Sequence, residues 1–330
     1  MKSILFGDSV NINRVYPEST KTALKEQAGL LNEIICKTDL KNINTADIDF
    51  IFSTWGMPGL STGEINKHFP SLKAVFYAAG SVQGFAQPFL DLGVRVFSAW
   101  AANGVPVAEY TLAQILLANK NFYACARYSS VGDNESAREK AGRIVGNYGC
   151  SVGIIGAGMI GSMVINYLKH HNLNLLVFDP FLPDERAREL GVEKATLEQI
   201  FSQCQTISNH LANNSQTVGM LNYDLFNLML PDAVFINTGR GAQVVEHDLC
   251  RVLTARPDLT AVLDVTCPEP PEMGHPFYSL PNIVLTPHIA GSMGHEVERM
   301  SLYMLEEFRR LIDDKPLLYE VTKNMLATMA

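Results

Sequence analysis

Three side chains in the second half of the chain have the types that hydride transfer to a 2-keto acid requires: Arg240, Glu269 and His288. A substrate carboxylate calls for a planar cation, and arginine offers a fork of N–H donors. The carbonyl oxygen needs a proton as hydride reaches its carbon, which suits an imidazole that titrates near neutrality. A carboxylate beside that imidazole stabilises the imidazolium and sets its orientation. These residues keep company with others of similar placement. In order along the chain, Asp179, His210, Arg240, Asp264, Glu269 and His288 all stand just beyond short apolar runs, among them 233–236, 260–263 and 283–285. If those runs are parallel strands of one sheet, their carboxyl ends share an edge, which is where such sheets bind ligands.

The elements that would position them begin with residues 152–179, VGIIGAGMIGSMVINYLKHHNLNLLVFD, which read as strand, glycine turn, helix and strand. Gly156, Gly158 and Gly161 form G-x-G-x-x-G. In such a motif the first glycine permits the tight turn, the second lets backbone approach a pyrophosphate, and the third lets helix and sheet pack closely. Met159 and Ile160 open the helix, whose free N–H groups and positive dipole end face the phosphates. Asp179 closes the second strand eighteen residues past Gly161, near the distance expected of an acid that accepts from a ribose diol. An acid there repels a 2′-phosphate, and no arginine follows before Arg186, so the pattern predicts NAD rather than NADP.

The same alternation of strands and helices occupies the first hundred residues, with strands near 4–6, 50–52, 74–77 and 94–97 and helices near 18–28 and 61–68. This predicts an α/β chain of two doubly wound parallel-sheet domains. Residues 107–118 predict an amphipathic helix, and 129–147 a polar loop or surface helix. Residues 295–312 predict a long helix, and 317–321 a return to the first domain. Loops 55–59 and 78–84 fall at strand ends and contain no Lys or Arg, so they offer no evident clamp for a phosphorylated substrate. Trp55, Trp100 and Tyr77 suit either a substrate pocket or packing. A net charge of −8 without a dense basic cluster argues against nucleic acid. Six scattered cysteines without C-x-x-C predict reduced thiols and no metal site. With no signal-like N-terminus and no long uncharged apolar stretch, the expectation is a cytoplasmic protein without a membrane span.

Taken together, these residues make the second half resemble the D-isomer-specific 2-hydroxyacid dehydrogenase family. The matching segments are GAGMIG at 156–161, SNHLANNSQT at 208–217, INTGRGAQVVEHDL at 236–249, LDVTCPEP at 263–270 and TPHIAG at 286–291. PVAEYTLAQILL at 106–117 is similar to the family's interdomain helix. The resemblance implies a Rossmann NAD-binding domain, residues 104–291, inserted in a flavodoxin-like substrate domain of residues 1–103 and 292–330, with the active site in the cleft between them. It implies Arg240 for the substrate carboxylate and carbonyl, Glu269 as the partner of the histidine, and His288 as acid/base. Asp264 would hold the nicotinamide carboxamide and Asp179 the adenosine ribose. Gly156, Gly158, Met159, Ile160, Gly161, His210, Thr238, Gly239, Arg240 and His288 complete the expected cofactor contacts. Backbone groups of Gly80, Ser81 and Val82 would hold the carboxylate from the other domain. A homodimer around the interdomain helix is implied too.

The chain departs from the family in two places. His210-Leu211-Ala212-Asn213-Asn214 stands where His-x-Pro-Leu-Thr is usual, and N-T-G-R replaces N-T-A-R. Glu269, where the family's formate dehydrogenases use Gln, argues against formate. The chain also ends too soon for the regulatory domain that phosphoglycerate dehydrogenases often carry. Three other readings use the same motifs: an NADPH-preferring glyoxylate or hydroxypyruvate reductase, a non-catalytic NAD(H)-sensing regulator, and a scaffold that serves dimerisation.

Overall fold

A computed structural model describes residues 1–326; the last four positions of the expected substrate domain, 327–330, lie outside the described residues. The chain divides into two compact units, Met1–Gly104 with the segment from Ser292 onward, and Val105–Gly291.

In the first unit, five parallel strands, β1 (Ser3–Phe6), β2 (Leu30–Ile35), β3 (Phe50–Ser53), β4 (Ala74–Tyr77) and β5 (Arg95–Ser98), lie in the order β5-β4-β3-β1-β2. This is the flavodoxin-like order, with its switch point between β1 and β3. Strands β1, β3 and β4 are buried along their whole length, so they read as continuous apolar runs rather than alternating ones. The segment Glu320–Val321 adds an antiparallel strand to the edge of β5, where Arg95 and Glu320 meet through two bonds of 2.6 Å. One face is covered by the helix Glu296–Ile312. Its Phe308 meets Phe50, Phe52 and Phe76 edge-on at 5.3–5.7 Å.

The second unit holds seven parallel strands, β6 (Tyr148–Ile155), β7 (Asn172–Phe178), β8 (Glu193–Lys194), β9 (Thr206–Asn209), β10 (Val234–Asn237), β11 (Thr260–Leu263) and β12 (Ile283–Leu285). Their order, β8-β7-β6-β9-β10-β11-β12, is that of a Rossmann sheet with one strand added. Alternate side chains feed two separate apolar clusters: Ile155, Ile207, Phe235 and Ala261 on one, Ile154, Val234, Ile236 and Val262 on the other. Both faces are therefore covered, which is what doubly wound means in side-chain terms. Register aligns the strand ends: Ile155 lies opposite Asn209, Asn209 opposite Asn237, Asn237 opposite Leu263, and Leu263 opposite Leu285. The residues that follow, Gly156, His210, Thr238, Asp264 and Thr286, leave the sheet along one edge.

Several elements differ from the sequence expectation. The helix expected over 107–118 starts at Trp100 and runs through Pro106 to Ala118. The polar stretch 129–147 agrees with one of the two forms expected of it, a surface helix at Asn134–Gly142. Strand β2 is apolar at both ends but interrupted by Asn32 and Glu33, and only its end residues are buried. The helix Phe122–Ser130 mixes the strong helix formers Ala124, Ala126 and Arg127 with six aromatic, Ser and Cys residues of modest propensity. Helix Ser9–Val15 is started by Asp8, whose carboxylate accepts from the Asn11 N–H at 2.9 Å. No described helix is long and apolar enough to cross a membrane. None of the six cysteines is paired.

Candidate active site

The glycine turn leaves β6 with Gly156 at φ +93°. A Cβ on Gly156 would stand 2.9 Å from the carbonyl carbon of His210, and one on Gly161 would stand 1.9 Å from the carbonyl oxygen of Gly156. Helix Met159–Leu168 thus sits directly on the turn, as only glycine permits. Gly158 is different in kind. Its Cβ would meet nothing within 4 Å, so the space a side chain would fill is open. Gly158 caps the helix without a side-chain bond, which leaves the N–H groups of the first turn without a capping side chain. Asp179, just past β7, accepts from the Ala157 N–H and the Phe181 N–H, each at 2.8 Å. The carboxylate is therefore moored to the glycine turn and keeps further lone pairs for a diol.

His210 follows β9, and its N–H donates to the Ile155 carbonyl at 2.7 Å. Its Nε2 pairs with Ser208 Oγ at 2.9 Å, while the buried Nδ1 has no partner among the described residues. Burial pushes this imidazole down to about 4, so it is neutral at physiological pH.

Arg240 lies beyond β10, and its Nη1 donates to the Gly239 carbonyl at 2.8 Å. Burial lowers the pKa of its guanidinium, and the nearby Glu269 carboxylate opposes that shift. The next residue must be glycine, because a Cβ on Gly241 would stand 2.0 Å from the carbonyl carbon of Thr266. This close approach presses the Arg240 turn against the segment that leads to Glu269. Thr238 shares a 3.0 Å hydroxyl contact with Thr111.

Asp264, 2% exposed, closes β11. Its Oδ1 accepts from Thr286 Oγ1 at 2.6 Å and the Ile289 N–H at 2.8 Å, and its Oδ2 accepts from the Ala290 N–H at 2.9 Å. Its carbonyl takes the His288 N–H at 2.9 Å. Asp264 therefore moors the loop that carries His288, whatever it offers a cofactor. His288 itself has φ +55°, a conformation uncommon outside glycine and held here by those bonds. Its Nδ1 lies 2.7 Å from Glu269 Oε1. Both side chains are partly open to solvent, 47% and 42%. A cavity of 470 Å³ beside the pair is lined by Asp264, Thr266, Glu269, Tyr278, Leu285 and Thr286.

In the first unit, the turn after β4 is shaped by Ser98 Oγ, which reaches the carbonyls of Ala79 and Gly80 at 2.8 and 2.6 Å. The N–H groups of Gly80, Ser81 and Val82 find no acceptor among the described residues. The neighbouring loop 55–59 has no cation of its own, yet cations reach it from elsewhere. Lys37 Nζ donates to the Gly59 carbonyl at 2.8 Å, and the Arg14 guanidinium lies 5.8 Å from the Trp55 ring centre. Composition of the loop alone could not reveal either.

The model of the D-isomer specific 2-hydroxyacid dehydrogenase NAD binding domain matches residues 112–290, more than half of the chain. The chain belongs to this family. Among curated relatives, a D-3-phosphoglycerate dehydrogenase of Archaeoglobus fulgidus is 29% identical over 224 residues, which cover 68% of this chain but 42% of that protein. The chain thus spans well under two thirds of that relative. The Bacillus subtilis protein YoaD, whose name places it among the 2-hydroxyacid dehydrogenases, is 29% identical over 268 residues, 80% of this chain and 70% of YoaD. In solved structures the fold recurs in a D-mandelate dehydrogenase of Rhodotorula graminis (TM-score 0.80, 20% identity, 98% of this chain and 97% of that one). It recurs also in a D-2-hydroxyisocaproate dehydrogenase (TM-score 0.76, 22% identity, 98% and 100%).

Within the family's NAD-binding domain, then, the chain brings Glu269 and His288 into direct contact and sets Arg240 against the Glu269 segment. His210 and Asp179 both touch the glycine turn. Reading the motifs alone missed the mooring role of Asp264 and the buried amides Asn209 and Gln243. Their signal is present in the sequence as polar residues within or beside apolar strands, but polarity there does not say which partner satisfies it.

Proposed function

We propose that the chain is an NAD-dependent 2-hydroxyacid dehydrogenase that reduces a 2-keto acid or oxidises the matching D-2-hydroxy acid. The observation that carries this reading is the 2.7 Å contact between His288 Nδ1 and Glu269 Oε1 in a domain whose glycine turn is open at Gly158. With Nδ1 committed to the carboxylate, Nε2 is the ring nitrogen left to meet a substrate oxygen. In the reductive direction His288 gives a proton from Nε2 to the nascent hydroxyl, and Glu269 stabilises the charged ring before and the orientation after. Arg240 binds the substrate carboxylate, and its partial burial strengthens that attraction. In the first unit, the N–H groups of Gly80, Ser81 and Val82 are suited to a carboxylate. Gly158 and the first turn of the helix accommodate a pyrophosphate, Asp179 a ribose diol, and Asp264, Thr238 and His210 the remaining cofactor contacts. NADH, when bound, supplies the hydride.

The anionic Asp179, fixed by two backbone N–H groups, favours NADH over a 2′-phosphorylated cofactor and so weighs against the NADPH-preferring reductase. A pure NAD(H) sensor has no need of a His–Glu pair. Arg14 brings positive charge to loop 55–59, whereas Lys37 is paired with Glu64 at 3.0 Å, so the substrate panel should include an acidic side chain. The test is NADH oxidation followed by absorbance, with glyoxylate, hydroxypyruvate, pyruvate, a branched keto acid and a dicarboxylic one, and with Arg240→Ala alongside. Turnover of at least one of them that is lost in the variant supports the reading. Tight NADH binding without turnover of any would move the weight to the sensor.

A further inference from the structure

The proposed chemistry leaves a group of buried amides next to Arg240 without a task. Asn209, Asn237 and Gln243 are at most 1% exposed. Asn209 Nδ2 donates to Asn237 Oδ1 at 3.0 Å and to Gln243 Oε1 at 2.6 Å. Asn237 Oδ1 also accepts the Gly239 N–H at 3.1 Å, and Asn237 Nδ2 donates to the Arg240 carbonyl at 3.1 Å. Gln243 Oε1 accepts the Arg240 N–H at 3.3 Å, while its Nε2 donates to the carbonyls of Leu211 and Ala212 at 2.7 and 3.0 Å.

The peptide groups on both sides of Arg240 are thus held by side chains rather than by the sheet, whose ladder ends at Asn237. Gln243 bonds both to the turn after β10, which carries Arg240, and to the loop after β9, which carries His210. It also accounts for the glycine in N-T-G-R. A Cβ on Gly239 would stand 3.1 Å from both Asn209 Nδ2 and Gln243 Oε1, tighter than ordinary contact. Buried amides are costly unless fully paired, and when paired they hold one geometry. A substrate-binding arginine gains from that, because small misplacements of a binding group cost rate steeply.

We propose that Gln243 is a positioning residue for Arg240: through the Asn209–Asn237–Gln243 network it fixes the backbone from which the guanidinium reaches the substrate carboxylate. This rests on Arg240 binding the keto acid.

Gln243→Met tests it in the full chain, since methionine fills similar volume without the amide. The Ala212 carbonyl keeps a second donor, Thr217 Oγ1 at 2.7 Å, so the cofactor-side loop retains a tether. The expected result is a rise of roughly tenfold in the KM for the keto acid, with the NADH Kd moved by less than about threefold. Placed on top of Arg240→Ala, the same substitution should leave the residual kcat/KM unchanged. Gln243→Glu, which when protonated keeps one acceptor and one donor, should restore KM at low pH and lose that rescue as the acid ionises. It also serves as the test if the methionine variant fails to fold. An unchanged KM in a folded Gln243→Met, or an equal loss in both arginine backgrounds, overturns the proposal. If Arg240→Ala alone leaves KM intact, it is the functional reading that has failed.

Discussion

His288 is held at φ +55° by its own N–H bond to Asp264 and by the Glu269 carboxylate on Nδ1, so its Nε2 is presented in one direction. His288→Gln is expected to lower kcat by about 10²–10⁴, the usual worth of a positioned acid/base, with little change in the NADH Kd. Glu269→Gln should cost less and shift the pH profile of kcat, because it removes the charge that supports the imidazolium. Stopped-flow turnover and NADH fluorescence would separate the two effects, and a His288→Gln enzyme of normal kcat would end the acid/base assignment. His210 makes a different prediction. Its folded pKa of about 4 lies below its ordinary 6.5, so the unfolded chain binds a proton that the folded chain refuses. The stability this group allows is complete above pH 6.5 and falls by about 3 kcal/mol as pH drops towards 4. His210→Asn should flatten the melting temperature over that window, and an unaltered slope would rule the group out. The identities of all these residues were legible as motif letters. The contact between His288 and Glu269, nineteen positions apart, was not, since it depends on a loop moored by Asp264.

At the scale of elements, the glycine turn separates folding from binding. Gly158→Ala adds a methyl to open space, so the melting temperature should hold while the NADH Kd rises by roughly tenfold or more. Gly161→Ala drives a Cβ into the Gly156 carbonyl and should depress the melting temperature itself. Thermal melts paired with NADH titrations check both, and a Gly158→Ala protein of full affinity would argue that no pyrophosphate approaches there. Strands β10 and β11 were readable because buried parallel strands covered on both faces are largely apolar runs, and the half-buried β12 is one too, whereas β9, Thr206–Asn209, is mostly polar. Strand β2 and the helix Phe122–Ser130 were not readable, because Asn32 and Glu33 interrupt the first and aromatic, Ser and Cys residues dilute the second. Pro106 inside the helix Trp100–Ala118 misplaced its start for a similar reason: local preference argued for a break, and packing overrode it.

At the scale of the whole molecule, the second unit is one continuous stretch of chain, whereas the first is assembled from two distant ones. A fragment of residues 100–291, which keeps the helix Trp100–Ala118 whole, should melt cooperatively and quench on NADH addition without turning over a keto acid. A folded fragment blind to NADH would contradict the assignment of the cofactor to this unit. The first unit depends on its late strand, since Glu320–Val321 closes the β5 edge and Arg95 binds Glu320 at 2.6 Å across 225 positions.

What the sequence determined by itself is the alternation of strands and helices, the glycine turn with its terminal acid, and the set of polar residues that follow strands. Those depend on local spacing and on burial of whole elements, both of which leave periodic traces in residue type. What only the tertiary structure decided is which of those polar groups face one another. Asp264 tied to the His288 loop, Gln243 bridging two strand ends, and Arg14 and Lys37 arriving at loop 55–59 are all contacts across strand order and register. A hydrogen bond between distant residues is chosen by geometry that no local pattern records.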